Sequence, residues 1–216
     1  MPRLVGSEMC IRDSTNLAPG TYTVTIKDDN NCSSSAGPVS ITEPAVLTAS
    51  MGVPTMVSCN GGSDGSVTVT GSGGTVVGDY TYLWSDGQTT ATATGLIAGS
   101  YTVTVKDDNN CSTSAGPITI TEVTPVSGTI GVPTMVLCNG GSDGSVTVSG
   151  SGGTVAGDYT YLWSNGQTTA TATGLVAGSY TVTVKDDNNC QTTAGPVTIT
   201  EPVSYTHLTL PTSNSV

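Results

Sequence analysis

The chain has no phenylalanine, a single histidine and only five basic residues against sixteen acids, a formal net charge of −11. Each scarcity excludes something. So few cations leave no electrostatic footprint for nucleic acid or an anionic lipid surface, so neither is expected as a partner. No run is long and apolar enough to cross a bilayer, so no membrane insertion is expected within this stretch. What is plentiful is Thr, Val, Ser and Gly, the usage of strands and turns rather than helices.

The abundant residues recur with a fixed period. Cys32, Cys111 and Cys190 are evenly spaced (111 − 32 = 79; 190 − 111 = 79), and Cys59 to Cys138 and Trp84 to Trp163 repeat the interval. Such a period is the mark of a tandem array. It divides the chain into full units at residues 45–123 and 124–202, preceded at 15–44 by the C-terminal hairpin of a truncated third. From Gly52 onward the two full copies differ mostly by conservative exchanges such as Ile97/Val176 and Ile118/Val197.

The ends do not follow the period. "MCIRDS" (residues 9–14) can be encoded by ATG TGT ATA AGA GAC AG, and the reverse complement of that string completes a codon for Pro202 and then encodes Val203 to His207. Both ends resemble a transposon-end sequencing adaptor read through as protein. Residues 1–14 and 203–216 are therefore read as disordered scars and set aside. With them go His207, Arg3, Arg12 and the off-period Cys10, leaving Lys27, Lys106 and Lys185 as one cation per unit. The natural chain is expected to continue past both ends, so the lack of an export signal or anchor here carries no weight.

Each full unit holds two cysteines at matching positions. In a small β unit these read as disulfides formed in an oxidising, extracellular compartment. Zinc would need clustered Cys or His at short spacing, which is lacking. With strands alternating up and down, the turns holding Cys59 and Cys111 fall at the same end of a unit. The expected bridges are thus Cys59–Cys111 and Cys138–Cys190, with Cys32 unpaired; the alternative is Cys111–Cys138 across units. A bridge within a unit would contribute on the order of 4 kcal/mol by loop entropy, enough to decide whether so small a core folds.

Alternation along the unit places the strands. "SVTVT" puts Val67 and Val69 on one face, "YTYLWS" puts Tyr80, Tyr82 and Trp84 on one face, and "GSYTVTV" sends Tyr101, Val103 and Val105 inward. "SDGQ" (residues 85–88) reads as a hairpin turn leading to "TTATATGL". Short alternating strands with regular turns predict an all-β protein of tandem immunoglobulin-like Greek-key β-sandwiches. Trp84 and Trp163 take the place of the buried core tryptophan of such sandwiches, and Tyr101 and Tyr180 that of a tyrosine corner. Core packing is the expected role of these aromatics, in preference to a sugar-stacking platform.

"KDDNNC" occurs three times, each after "YTVTV" or "YTVTI". Asp and Asn suit a chain reversal because their side chains bond nearby amides and tolerate left-handed backbone. A turn carrying half a disulfide is the expected reading, with no cofactor. A calcium site is the second reading. It would draw oxygens from Asn60, Asp64, Asp107, Asp108 and Asn110, and from Asn139, Asp143, Asp186, Asp187 and Asn189 in the next unit.

The ordered set "CNGGSDGSVTV", "YTYLWS(D/N)GQTTATATGL", "GSYTVTVKDDNNC" and a closing "ITE" resembles the SprB repeat, and the resemblance covers nearly all of residues 15–202. That family implies secretion to the cell surface, tandem arrays in very large adhesins of gliding Bacteroidetes-type bacteria, and a role in adhesion or gliding motility. It supplies no catalytic residues, and the aspartates here sit in turns with Gly and Asn, so no enzyme is expected. Two functions follow: a stalk or spacer whose partners are the neighbouring repeats, or a multivalent module binding polysaccharide or an abiotic surface.

Overall fold

A computed structural model describes residues 14–203, and every regular element among them is a strand. The adaptor-like ends lie outside the described residues, apart from Ser14 and Val203. First comes a hairpin, β1 (Gly20–Lys27) with β2 (Ser33–Ile41). The first full unit has β3 (Thr48–Met51), β4 (Gly65–Ser72), β5 (Thr81–Trp84), β6 (Thr92–Leu96), β7 (Gly99–Lys106) and β8 (Ser112–Ile120). The second repeats them as β9 (Ser127–Ile130), β10 (Gly144–Ser151), β11 (Thr160–Trp163), β12 (Thr171–Leu175), β13 (Gly178–Lys185) and β14 (Gln191–Ile199).

Each unit is two three-stranded antiparallel sheets, β3-β4-β6 with β5-β7-β8 in the first and β9-β10-β12 with β11-β13-β14 in the second. Sequence neighbours β4 and β5 lie in different sheets, as do β6 and β7, which is the immunoglobulin-like Greek-key arrangement. The alternating residues close the core between the sheets. Val67, Val69, Trp84, Leu96, Val103, Val105 and Ile120 are buried in the first unit, and Val146, Val148, Trp163, Leu175, Val182, Val184 and Ile199 in the second. The two cores are separate clusters. Outward threonines pair across strands, Thr68 with Thr92 and Thr147 with Thr171, each at 2.9 Å.

One connection departs from the expectation. Residues 85–88 do not join β5 to β6 as a hairpin, because β5 pairs with β7 and β6 with β4. Thr81 lies opposite Lys106, and Thr92–Leu96 descends β4 toward Gly65, so β5 and β6 run the same way in opposite sheets. The chain between them turns tightly (Gly87 N donates to Trp84 O, 2.9 Å) and crosses over. Gln88 holds the crossing: its amide nitrogen donates to Thr94 O at 2.9 Å and its amide oxygen accepts from Thr94 N at 3.0 Å, so a side chain does what a strand neighbour would do. Gln167 repeats this on Thr173.

That crossing inverts every later strand relative to simple alternation, and it overturns the expected placement of the cysteines. The loop of Cys59 lies at the end marked by the Gly99–Ile120 pair, where Gly61 N donates to Glu122 Oε2 (2.6 Å). The turn of Cys111 lies at the other end, beyond the Lys106–Ser112 pair. The eight residues of β7 separate them, roughly 23 Å at strand rise.

The leading hairpin has the register of β7 with β8, including the same irregularity near its middle, but among the described residues no opposing sheet. Val24, Ile26 and Val39 are 56%, 66% and 64% exposed, whereas Val103 and Val105 are 1% and 0%.

Candidate functional site at the junction of two units

The repeated turn is built by its first aspartate. Asp107 Oδ1 accepts from Asn109 N (3.0 Å) and Cys111 N (2.8 Å), closing the turn on itself. Its Oδ2 accepts from Thr75 N (2.9 Å) in the loop between β4 and β5. Asp108 Oδ2 accepts from Val77 N (2.6 Å) and Gly78 N (3.1 Å) of the same loop. Asn110 takes the left-handed conformation, φ 61°. Both carboxyls are held below the usual carboxylate range, Asp107 chiefly by the Thr75 amide and Asp108 chiefly by the Val77 amide, since an N–H aimed at a carboxylate favours its charged form. In the second unit Asp186 accepts from Asn188, Cys190 and Thr154, and Asp187 from Ala156 and Gly157; Asn189 has φ 64°.

The opposite end of the unit carries the loop after β3. Ser58 donates to Asp64 from both its amide (3.0 Å) and its hydroxyl, and the hydroxyl is the main cause of a lowered Asp64 carboxyl. Asn60 Nδ2 donates to Val123 O (3.2 Å). In the second unit Asp143 accepts from Leu137 N (3.2 Å), and Asn139 donates to Glu201 (3.2 Å) and to Pro202 O (3.3 Å).

The two ends meet between units. Cys59 of the first unit is bonded to Cys190 of the second, 131 residues on, with Cα atoms 5.5 Å apart. Asn188 Nδ2 donates to Ser58 O at 3.2 Å beside it. A cleft here is lined by Cys59, Asn60, Pro125, Val126 and Cys190. Cys32, Cys111 and Cys138 are free and exposed. The expected bridges Cys59–Cys111 and Cys138–Cys190 are therefore corrected: each pair sits at opposite ends of its own sandwich, and the strand length between them forbids a bond. The alternative Cys111–Cys138 is not formed either.

The residues named for calcium are not brought together within one unit, for the same reason. Asn60 and Asp64 lie at one end of a unit and Asp107, Asp108 and Asn110 at the other, so no single unit assembles them; Asn139 and Asp143 are likewise apart from Asp186, Asp187 and Asn189. Among the described residues no group of three or more His, Cys, Asp or Glu side chains converges as a metal site would require.

The aromatic signature falls where expected. Trp84 and Trp163 are 2% and 1% exposed, and their indole N–H groups donate to Thr90 O (2.8 Å) and Thr169 O (2.9 Å). Tyr101 and Tyr180 donate from their hydroxyls to Ile97 O (3.0 Å) and Val176 O (3.1 Å), the backward bond of a tyrosine corner. Sequence reasoning passed over Ser58, Gln88 and Asn188. The recurrence of Gln88 as Gln167 was a readable sign; the junction contacts of Ser58 and Asn188 had none.

Against this geometry, the family model of the SprB repeat matches residues 52–89 and 130–168. Each match runs from the end of the first strand, through the Cys-bearing loop and the second strand, to the crossing after the core tryptophan. No curated protein sequence matches the chain significantly. Among solved structures, the C-terminal 282-residue fragment of intimin, determined in complex with the intimin-binding domain of the translocated intimin receptor, is similar over 73% of this chain and 64% of that one, at 19% identity and a TM-score of 0.34. The chain thus spans less than two thirds of that fragment.

Proposed function

Starting from a chain whose two full units carry SprB repeats, a surface-adhesin type of repeat, we propose that it is a non-catalytic stretch of a secreted bacterial cell-surface adhesin and serves there as a stalk. In this reading the units hold a binding region away from the cell during adhesion or gliding. The observation that carries it is the bond between units. A module made to bind needs its loops free, whereas here the loop at one end and the turn at the other are spent on each other, through Cys59–Cys190 and the Asn188–Ser58 hydrogen bond. Near-identical copies suit a part whose task is length, and each adds about 30 Å by compact-domain scaling. The carboxylates support the same reading, since those of Asp107 and Asp108 are occupied by backbone amides within their own unit.

The experiment is a binding assay of the full chain on immobilised polysaccharides and on glass and polystyrene, with X-ray scattering of the same sample. A stalk gives no saturable binding and an elongated particle. Saturable binding that weakens on substitution of exposed loop residues such as Asp86 or Asn165 would favour the multivalent binding module instead.

A further inference from the structure

The 79-residue period and the bond at the junction together bear on the two free cysteines of the full units. Cys138 occupies in the second unit the place of Cys59 in the first, and Cys111 occupies in the first the place of Cys190 in the second. Each is thus the counterpart, by the period, of one half of the Cys59–Cys190 bond. The surroundings agree. Cys190 is 9% exposed because the Ser58–Cys59 loop covers it, while Cys111 is exposed at the end of the same turn. A concavity remains over Cys111, lined by Val46, Leu47, Thr75, Asp107 and Asn109; Val46 and Leu47 stand where Pro125 and Val126 line the cleft that Cys59 and Asn60 enter. Asn109 is placed, as Asn188 is, to donate to the carbonyl of an incoming loop.

We propose that Cys59–Cys190 is one rung of a continuous head-to-tail series, in which the turn cysteine of every unit is bonded to the loop cysteine of the unit before it. Cys138 is the docking point for the turn of a following copy of the unit, and Cys111, with the concavity above it, for the loop of a preceding copy. The bond forms by two exchanges with a low-molecular-weight disulfide. The loop thiolate attacks one sulfur of that disulfide and expels a thiolate; the turn thiolate then attacks the mixed disulfide and expels the second. Two protein thiols are oxidised, one small disulfide is reduced, and the two protons pass to the released thiolates. This inference stands on the junction geometry and not on the stalk reading, and its test reads the bonds themselves rather than binding or particle shape.

The test is the full chain extended after Pro202 by a further copy of its own residues 124–202, refolded in a glutathione redox buffer, alkylated, digested without reduction and mapped by mass spectrometry. Cys59–Cys190 reports that the original junction has folded. The expected result is a second bond, from Cys138 to the added copy's counterpart of Cys190, with alkylation of Cys138 falling about tenfold or more relative to the unextended chain. Cys59–Cys190 present with Cys138 as reactive as before would overturn the proposal. A second arm uses the unextended chain with Cys59→Ser. There Cys190 is expected to become alkylatable and to stay unbonded to Cys138; recovery of Cys138–Cys190 would equally overturn it.

Discussion

Asp107 is 5% exposed and accepts three backbone hydrogen bonds, so one carboxylate both shapes the turn and fastens it to the loop across the sandwich end. Its folded-state pKa lies below the ordinary value of 3.8. The stabilisation is therefore fully present above that ordinary value and is lost as the pH falls through the lower folded value, because there the unfolded chain binds the proton first. Thermal melts should show Tm falling on acidification below about pH 4, and Asp107→Asn should both lower Tm at neutral pH and flatten that acid slope. An unchanged slope would remove Asp107 from the account. Gly74 tests the same contact from the other side. It has φ +69°, and a Cβ built there would lie 2.6 Å from Asp107 Oδ2. Gly74→Ala should cost about 2 kcal/mol or more, from left-handed strain plus displacement of the carboxylate. Gly78→Ala, with nothing within 4 Å, should be nearly neutral in the same urea titration.

At the scale of elements, the crossing from β5 to β6 decides the topology, and Gln88 replaces the strand partner that the crossing lacks. Removing its two bonds with Thr94 by Gln88→Ala should destabilise the first unit by about 1 kcal/mol in denaturant unfolding, the usual net worth of such bonds. Gln88→Glu keeps the acceptor for Thr94 N but sets a carboxylate oxygen against Thr94 O and the Asp86 carboxylate, and should destabilise at least as much as Gln88→Ala. The β1–β2 hairpin gives the complementary case. It carries the inward-facing pattern of β7 and β8 with no covering sheet among the described residues, and a two-stranded hairpin alone is marginal in water. Amide exchange in β1 should be faster than in β7 by orders of magnitude, although the two sequences are nearly the same. Equal protection would mean that the hairpin is held by something other than its own strands.

For the whole molecule, the cores end at the unit boundaries and the bond does not. Among the described residues no buried cluster spans the junction, so Cys59–Cys190 constrains the relation of two units more than the stability of either. Reduction should then leave the strand circular dichroism and the buried tryptophan emission unchanged at room temperature while broadening the distance distribution in X-ray scattering. Loss of the tryptophan signal on reduction would show instead that the bond supports the cores, as an intra-unit disulfide does.

Much of this architecture was legible in the residues. The period follows from spacing alone, the strands from the alternation of Val67 and Val69 or Val103 and Val105, and the burial of Trp84 from its place on an alternating strand. These are local or periodic features, and the physics that reads them is the two-residue repeat of an extended chain. The turn reading of "KDDNNC" was local too, since Asp107 bonds amides two and four residues away. What the sequence could not reveal was direction. Nothing in "SDGQTTA" distinguishes a hairpin from a crossing, because both use the same tight turn; the choice rests on whether β6 gains more by pairing with β5 or with β4. Pairing with β4 lets Ala93 and Leu96 complete the core against Trp84 and Val103, and that gain exists only once both sheets are assembled. From this one reversal the cysteine pairing follows. Cysteine spacing pointed to disulfide bonding, and tertiary structure alone decided that the partner of Cys59 lies not at the far end of its own sandwich but at the near end of the next.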